Sequence, residues 1–179
     1  MRTSSVWWLY NGASCLMVHR EQGYNVLLCA KDDKVYKVDG ETLVQLGSGF
    51  ASDSWQYCSF TDGGGTVNTI LTNGSAADNV QRVYVSGGVH TIAAAYNSAT
   101  SLISPCVFKN RMYFAVKNSM TVKYGGSQAI AGNLKDFDLG SLFKLGGRIV
   151  NIANWTQDAG LGMDDLLCIF TSEGSLYVL

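Results

Sequence analysis

FKNRMYFAVKNSMTVKY, residues 108–124, decides the fold class of this chain. Arg111 to Val116 and Met120 to Tyr124 are rich in Tyr, Phe and Val, side chains that fit a pleated, half-buried surface. Lys117-Asn118-Ser119 lies between them, and Asn tolerates the left-handed backbone that a tight turn needs. The stretch therefore predicts a β-hairpin. The C-terminal residues repeat the construction: Leu166 to Thr171 is apolar, Ser172-Glu173-Gly174 is a turn with Gly where φ must be positive, and Ser175 to Leu179 resumes the strand pattern.

The same grammar extends towards the N-terminus. Cys15 to Arg20 and Tyr24 to Ala30 read as strands joined by Glu21-Gln22-Gly23, and Lys31-Asp32-Asp33 turns into Lys34 to Val38. Asp39-Gly40 is a two-residue hairpin signal leading to Thr42 to Leu46. Trp55 to Phe60 and Val67 to Thr72 flank Asp62-Gly63-Gly64-Gly65. Asn73-Gly74 closes that strand, and Val80 to Ser86 meets Val89 to Ala95 across Gly87-Gly88. Asn97 to Ser104 reads as a polar loop, with Pro105 restraining the entry to the next section. One helix or 3₁₀ turn is expected at Phe137 to Lys144, with Asp136 as N-cap, Phe137, Leu139, Leu142 and Phe143 as the apolar face and Gly146-Gly147 as the stop. Residues 1–14 form an arm carrying Trp7 and Trp8, and residues 15–179 form one domain. Many short antiparallel strands linked by tight turns indicate an all-β propeller, barrel or sandwich. Turn spacing is irregular, so no strict repeat of the WD type is present.

Composition agrees. The 179 residues are 47% hydrophobic and 15% charged, with 20 Gly and one Pro, which fits turns and a packed core better than disorder or long helices. A net charge of −1 removes the broad basic surface expected of a protein that grips nucleic acid through phosphates. A near-neutral wall is nonetheless compatible with a conduit through which DNA slides. The five Cys residues, at 15, 29, 58, 106 and 168, lie in apolar runs without CxxC spacing and read as reduced core thiols. The N-terminus lacks the apolar segment of a secretion signal. No run approaches the roughly 18 apolar residues of a membrane span.

FKNRMYF (108–114), FDLGSLFKLGGRIV (137–150) and above all WTQDAGLGMDDLLCIFTSEGSLYV (155–178) resemble a family of phage virion proteins with β-propeller-like domains, found as nozzle, hub or DNA-stabilisation proteins of the tail below the portal. The likeness is strongest over residues 107–179. It continues more faintly from about Tyr24, through LGSGF (46–50) and TNGSAADNVQRVYVSGG (72–88). The resemblance implies a propeller-like fold and a structural role in the bacteriophage tail. It also implies a homo-oligomeric ring, with portal, adaptor and other tail proteins as partners, double-stranded DNA passing without sequence-specific contact, and no membrane. Synthesis in the bacterial host cytoplasm, incorporation into the virion and a role in DNA ejection follow from it. Family members continue beyond the position matching Val178, so the chain is expected to be a fragment, a split-gene product or a short member. A carbohydrate- or receptor-binding β module is the alternative, to be recognised by exposed Trp and Tyr gathered on one face.

Candidate chemistry is sparse. Asp158-Ala159-Gly160-Leu161-Gly162-Met163-Asp164-Asp165 places acidic side chains among glycines, which makes Asp158, Asp164 and Asp165 the candidate metal ligands, with calcium as the ion. The loop lacks the alternating acids and distal Glu of an EF-hand, so a structured turn is the preferred reading and no cofactor is expected. Asp164 and Asp165 are adjacent and would point to opposite faces of a strand, which disfavours a glycosidase pair. The triple glycine lacks the following Lys-Ser/Thr and helix of a phosphate-binding loop, and reads as a hairpin tip. There is no G-x-S-x-G elbow. His19 and His90 are too far apart in sequence to argue for a ligand or triad motif. Trp155 reads as a core residue. No enzymatic activity is expected.

Overall fold

A computed structural model describes residues 12–21, 23–158 and 163–179. Fifteen strands occur among these residues, all paired antiparallel, in four sheets that follow one another along the chain. The first sheet is β1 (Ala13–Glu21), β2 (Tyr24–Lys31), β3 (Lys34–Asp39) and β4 (Thr42–Ser48). The second is β5 (Gln56–Thr61), β6 (Val67–Thr72), β7 (Gln81–Ser86) and β8 (Val89–Ala94). The third is β9 (Leu102–Phe108), β10 (Arg111–Val116), β11 (Thr121–Tyr124) and β12 (Lys135–Asp138). The fourth has three strands, β13 (Ile149–Asp158), β14 (Met163–Thr171) and β15 (Leu176–Val178). The leading strands β1, β5, β9 and β13 pack one against the next, so the sheets stand side by side as the blades of a propeller-like arc.

Three apolar cores hold the arc together, each lying between successive sheets. Met17, Leu28 and Val35 of the first sheet meet Leu71 and Val83 of the second, together with Trp55 just before β5. Phe60 and Ile70 of the second meet Leu102, Met112 and Phe114 of the third, with Tyr96 between them. Ala115 and Val122 of the third meet Ile149, Ile152, Leu167 and Ile169 of the fourth, with Leu139 and Phe143 sealing the gap. Burying these faces is the main source of stability, at roughly 25 cal/mol per Å² of apolar surface.

The hairpin turns follow their sequence signals. Asn118 has φ +58° and Gly174 φ +76°, as their turns require. The triple glycine is a hairpin tip whose backbone is already satisfied. The Asp62 carboxylate accepts from the amides of Gly64 (2.9 Å) and Thr66 (3.0 Å), and the Gly63 amide donates to the Gln128 carbonyl (2.9 Å). Those amides are not free to cradle a phosphate.

Four expectations are corrected. The helix at 137–144 does not form: Lys135–Asp138 is strand β12, with Phe137 opposite Val122 and Asp136 opposite Lys123. Turns follow it, because Leu139 and Phe143 are drawn into the third core while Leu142 stays half-exposed, so no single apolar stripe exists. Asp138, not Asp136, takes the free amide there, accepting from Gly140 at 2.9 Å. Pro105 lies inside β9 rather than before it, at the irregularity in pairing with β10, on an edge strand where a missing N–H costs little. Trp155 is 64% exposed, because it lies on the opposite face of β13 from the buried Ile152. The fourth correction, the meeting of His19 with His90, belongs to the site below. Strand β1 begins at Ala13, so it takes in the last residues assigned to the arm, whose Trp7 and Trp8 lie outside the described residues.

Cys29, Cys106 and Cys168 are buried, Cys15 and Cys58 half-buried, and all five are free thiols. No helix among the described residues is long and apolar enough to cross a membrane.

Candidate functional site

His19, Glu21 and His90 come together where the first and second sheets meet. Alternation along β1 puts His19 and Glu21 on one face, the face that carries Met17 into the core. His90 is the second residue of β8, just beyond the Gly87-Gly88 turn, whose two positive φ angles are the signature of a tight hairpin. Packing β1 against β6 then brings the end of the β1–β2 hairpin beside the β7–β8 hairpin.

Glu21 Oε1 lies 3.3 Å from His19 Nε2 and 2.8 Å from His90 Nε2. The side chains are 0% (His19), 15% (Glu21) and 8% (His90) exposed. The imidazole rings meet edge to face, with centroids 5.7 Å apart. Despite the short separations, none of these three atoms makes an aligned hydrogen bond. His19 is oriented from its other nitrogen, with Nδ1 2.8 Å from the Oγ1 of buried Thr69. Burial lowers the His19 pKa, opposed by the Glu21 carboxylate, so the imidazole is held towards its neutral form. The Glu21 carboxylate near the exposed Tyr24 phenol raises the pKa of that phenol.

A cavity of about 190 Å³ opens against His19 and Glu21, walled by Gly65, Thr66, Val67 and Val85. A second, of about 170 Å³, opens against His90 between the outer strands of the two sheets. The cluster thus lies between two solvent-reached hollows.

The backbone pairs Asp158 with Met163 and Gln157 with Asp164 at the tip of the β13–β14 hairpin. Residues 159–162 and the side chains of Asp158 and Asp164 lie outside what the structure describes. Asp165 lies in strand β14, is exposed and accepts a hydrogen bond from the hydroxyl of its cross-strand partner Thr156 at 2.8 Å.

A second surface stands out on the fourth sheet. Trp155 lies opposite Leu166, Phe170 opposite Leu176, and Cys168 opposite Val178, all on the face turned from the third core. Trp155, Phe170, Leu176 and Val178 are 64%, 38%, 53% and 44% exposed.

Sequence reasoning missed the histidine cluster because its members are 71 residues apart, 90 − 19, and no local motif links them. The available signal was weaker: His19 and Glu21 alternate on one face of a strand whose other residues on that face are apolar.

No family model matches the chain, and no curated protein matches it significantly. Among solved structures it is similar to BBS1N in complex with ARL6DN, in a mercury-soaked and a lead-soaked crystal, with TM-scores of 0.56 and 0.54 and 10% identity. Each alignment covers 93% of this chain and 51% of the other, so the chain spans about half the length of the structures it matches. At that identity the likeness concerns the fold alone, and the fold is all-β and propeller-like.

Proposed function

We propose that the chain is a non-enzymatic structural module of a bacteriophage tail, of the nozzle or hub type below the portal. Copies of it join in a ring that forms part of the DNA conduit, and the work is geometric. Strands supply a stiff wall, turns supply contacts to portal, adaptor and tail neighbours, and a net charge of −1 lets DNA pass without being gripped.

The observation that carries the ring is the apolar outer face of the fourth sheet. Each earlier sheet covers such a face with the next sheet of the arc. Trp155, Phe170, Leu176 and Val178 offer the same kind of surface, and the occupant proposed is a sheet of a second copy of this chain. The phage assignment rests on the sequence resemblance over residues 107–179. The solved neighbour, crystallised in complex with another protein, supports a binding role for this architecture in general.

Light scattering of the purified chain at two concentrations tests the reading against the 19.3 kDa protomer mass. A closed multiple of that mass is expected, and a monodisperse monomer at both concentrations would count against a ring. The exposed Trp155 also suits the alternative, a sugar-binding face, for which Trp fluorescence should be quenched by added glycans.

A further inference from the structure

We propose that His19, Glu21 and His90 form a binding site for one divalent transition-metal ion, zinc by its donor set, which staples the first sheet to the second. Two imidazole nitrogens and one carboxylate oxygen converge, all within 4.8 Å of one another. Zinc bonds of about 2.0–2.2 Å in a tetrahedron set neighbouring donors roughly 3.3 Å apart. The 3.3 Å from Glu21 Oε1 to His19 Nε2 matches that spacing, and the 2.8 Å to His90 Nε2 is shorter by about half an ångström, a gap that a small rotation of the half-buried Glu21 carboxylate closes.

Hydrogen-bond alignment supplies an independent argument. A fully buried imidazole normally finds a partner for each nitrogen, yet His19 Nε2 has none, although a carboxylate oxygen lies beside it. The Thr69 hydroxyl can accept from Nδ1, and in that tautomer Nε2 turns a lone pair towards Glu21 Oε1, a repulsive pairing that a cation between them would relieve. Thr69 then does what outer partners of metal-binding histidines do, fixing the tautomer and the ring orientation.

Donor chemistry selects the ion. Calcium and magnesium take mostly oxygen ligands, whereas two imidazoles with one carboxylate suit zinc and its neighbours in the first transition row. The cavity against His19 and Glu21 has room for water as a fourth ligand. Because His19 and Glu21 end β1 and His90 begins β8, the ion would fasten two hairpins that no covalent bond joins.

The test uses the full chain, freed of metal with a chelator and then titrated with zinc chloride, calcium chloride as control. One equivalent of zinc should bind. At a hundredfold excess over the dissociation constant the unfolding midpoint should rise by roughly 5 °C or more. Cobalt(II) in place of zinc should show the visible bands of a four-coordinate ion. His90→Asn and Glu21→Gln should each abolish the zinc-dependent rise while unfolding in one cooperative step without metal. His19→Ala also removes a buried core group, so the two more accessible positions carry the test. Equal zinc response in the parent and in His90→Asn, a response to calcium but not zinc, or none to either would overturn the site.

Discussion

Ser104 joins three sheets through one residue. It is buried, and its backbone is left-handed at φ +53°. Its amide donates to Gln56 Oε1 of the second sheet at 2.6 Å, while its hydroxyl is hydrogen-bonded to Asn151 Oδ1 and accepts from the Ile152 amide of the fourth at 2.8 Å. Removing the hydroxyl leaves buried polar groups short of a partner, at about 1–3 kcal/mol. Ser104→Ala should therefore lower stability by that amount in chemical denaturation. Ser104→Gly should cost less, because glycine relieves the left-handed strain by roughly 1 kcal/mol. The thiols make a second prediction at this scale. Burial pushes Cys58 up to about 12 and Cys106 up to about 11, so at pH 8 a thiol like Cys106 is ionised in only about one molecule in a thousand. Neither should react with iodoacetamide at pH 8 until the protein unfolds, as mass spectrometry after timed quenching would show. That these cysteines are core groups was legible from their apolar surroundings. That His19 and His90 meet was not, since the contact depends on how two sheets pack and on nothing within either strand.

Hairpins were the most legible elements, because a turn that needs positive φ favours Gly, Asn and Asp. The backbone at Asn118 and Gly174 shows that chemistry, and the predicted β6, Val67 to Thr72, coincides with the observed strand. Strand β9 was illegible for an equally local reason. Its Ser104-Pro105 breaks the expected pattern, yet the edge position and the irregular pairing with β10 remove the need for an N–H at Pro105. The segment after β12 misled for another: Leu139, Leu142 and Phe143 have helical spacing, but only Leu139 and Phe143 find core, and Gly140 lies between them. Gly74 supplies the prediction for the turns. It has φ +67°, and a Cβ there would come within 2.8 Å of Ile103 Cγ2 and 3.1 Å of Lys117 Cδ. Strain and crowding together should make Gly74→Ala destabilising by about 1–3 kcal/mol. Gly87→Ala, at φ +57° with open space around it, should cost nearer 1 kcal/mol. Thermal unfolding of the two variants side by side checks the ordering.

At the scale of the whole molecule the described residues form three covered cores between sheets, and the fourth sheet presents an apolar face with no further sheet against it, which carries the assembly argument. An all-β architecture was readable from turn chemistry and composition. The choice of a propeller-like arc over a sandwich came from the family resemblance and not from strand patterns, which look alike in both and are separated only by sheet order. The uncovered face was also hidden, since Trp155 is as apolar as the core residues near it in sequence and differs only in the side of β13 it occupies. If copies meet there, a charge on that face must be desolvated on association while the protomer fold is left nearly untouched. Trp155→Glu should thus reduce the mass seen by light scattering towards 19.3 kDa while changing the unfolding free energy of the isolated protomer by less than about 1 kcal/mol. Lys123 and Asp136 give the control, an ion pair 2.5 Å apart on an exposed stretch of the third sheet, where Asp136→Asn should alter stability by at most about 1 kcal/mol and leave the mass unchanged. An unchanged mass in Trp155→Glu would place the contact between copies elsewhere on the arc. A fall in mass in both variants would show that assembly does not depend on the fourth-sheet face in particular.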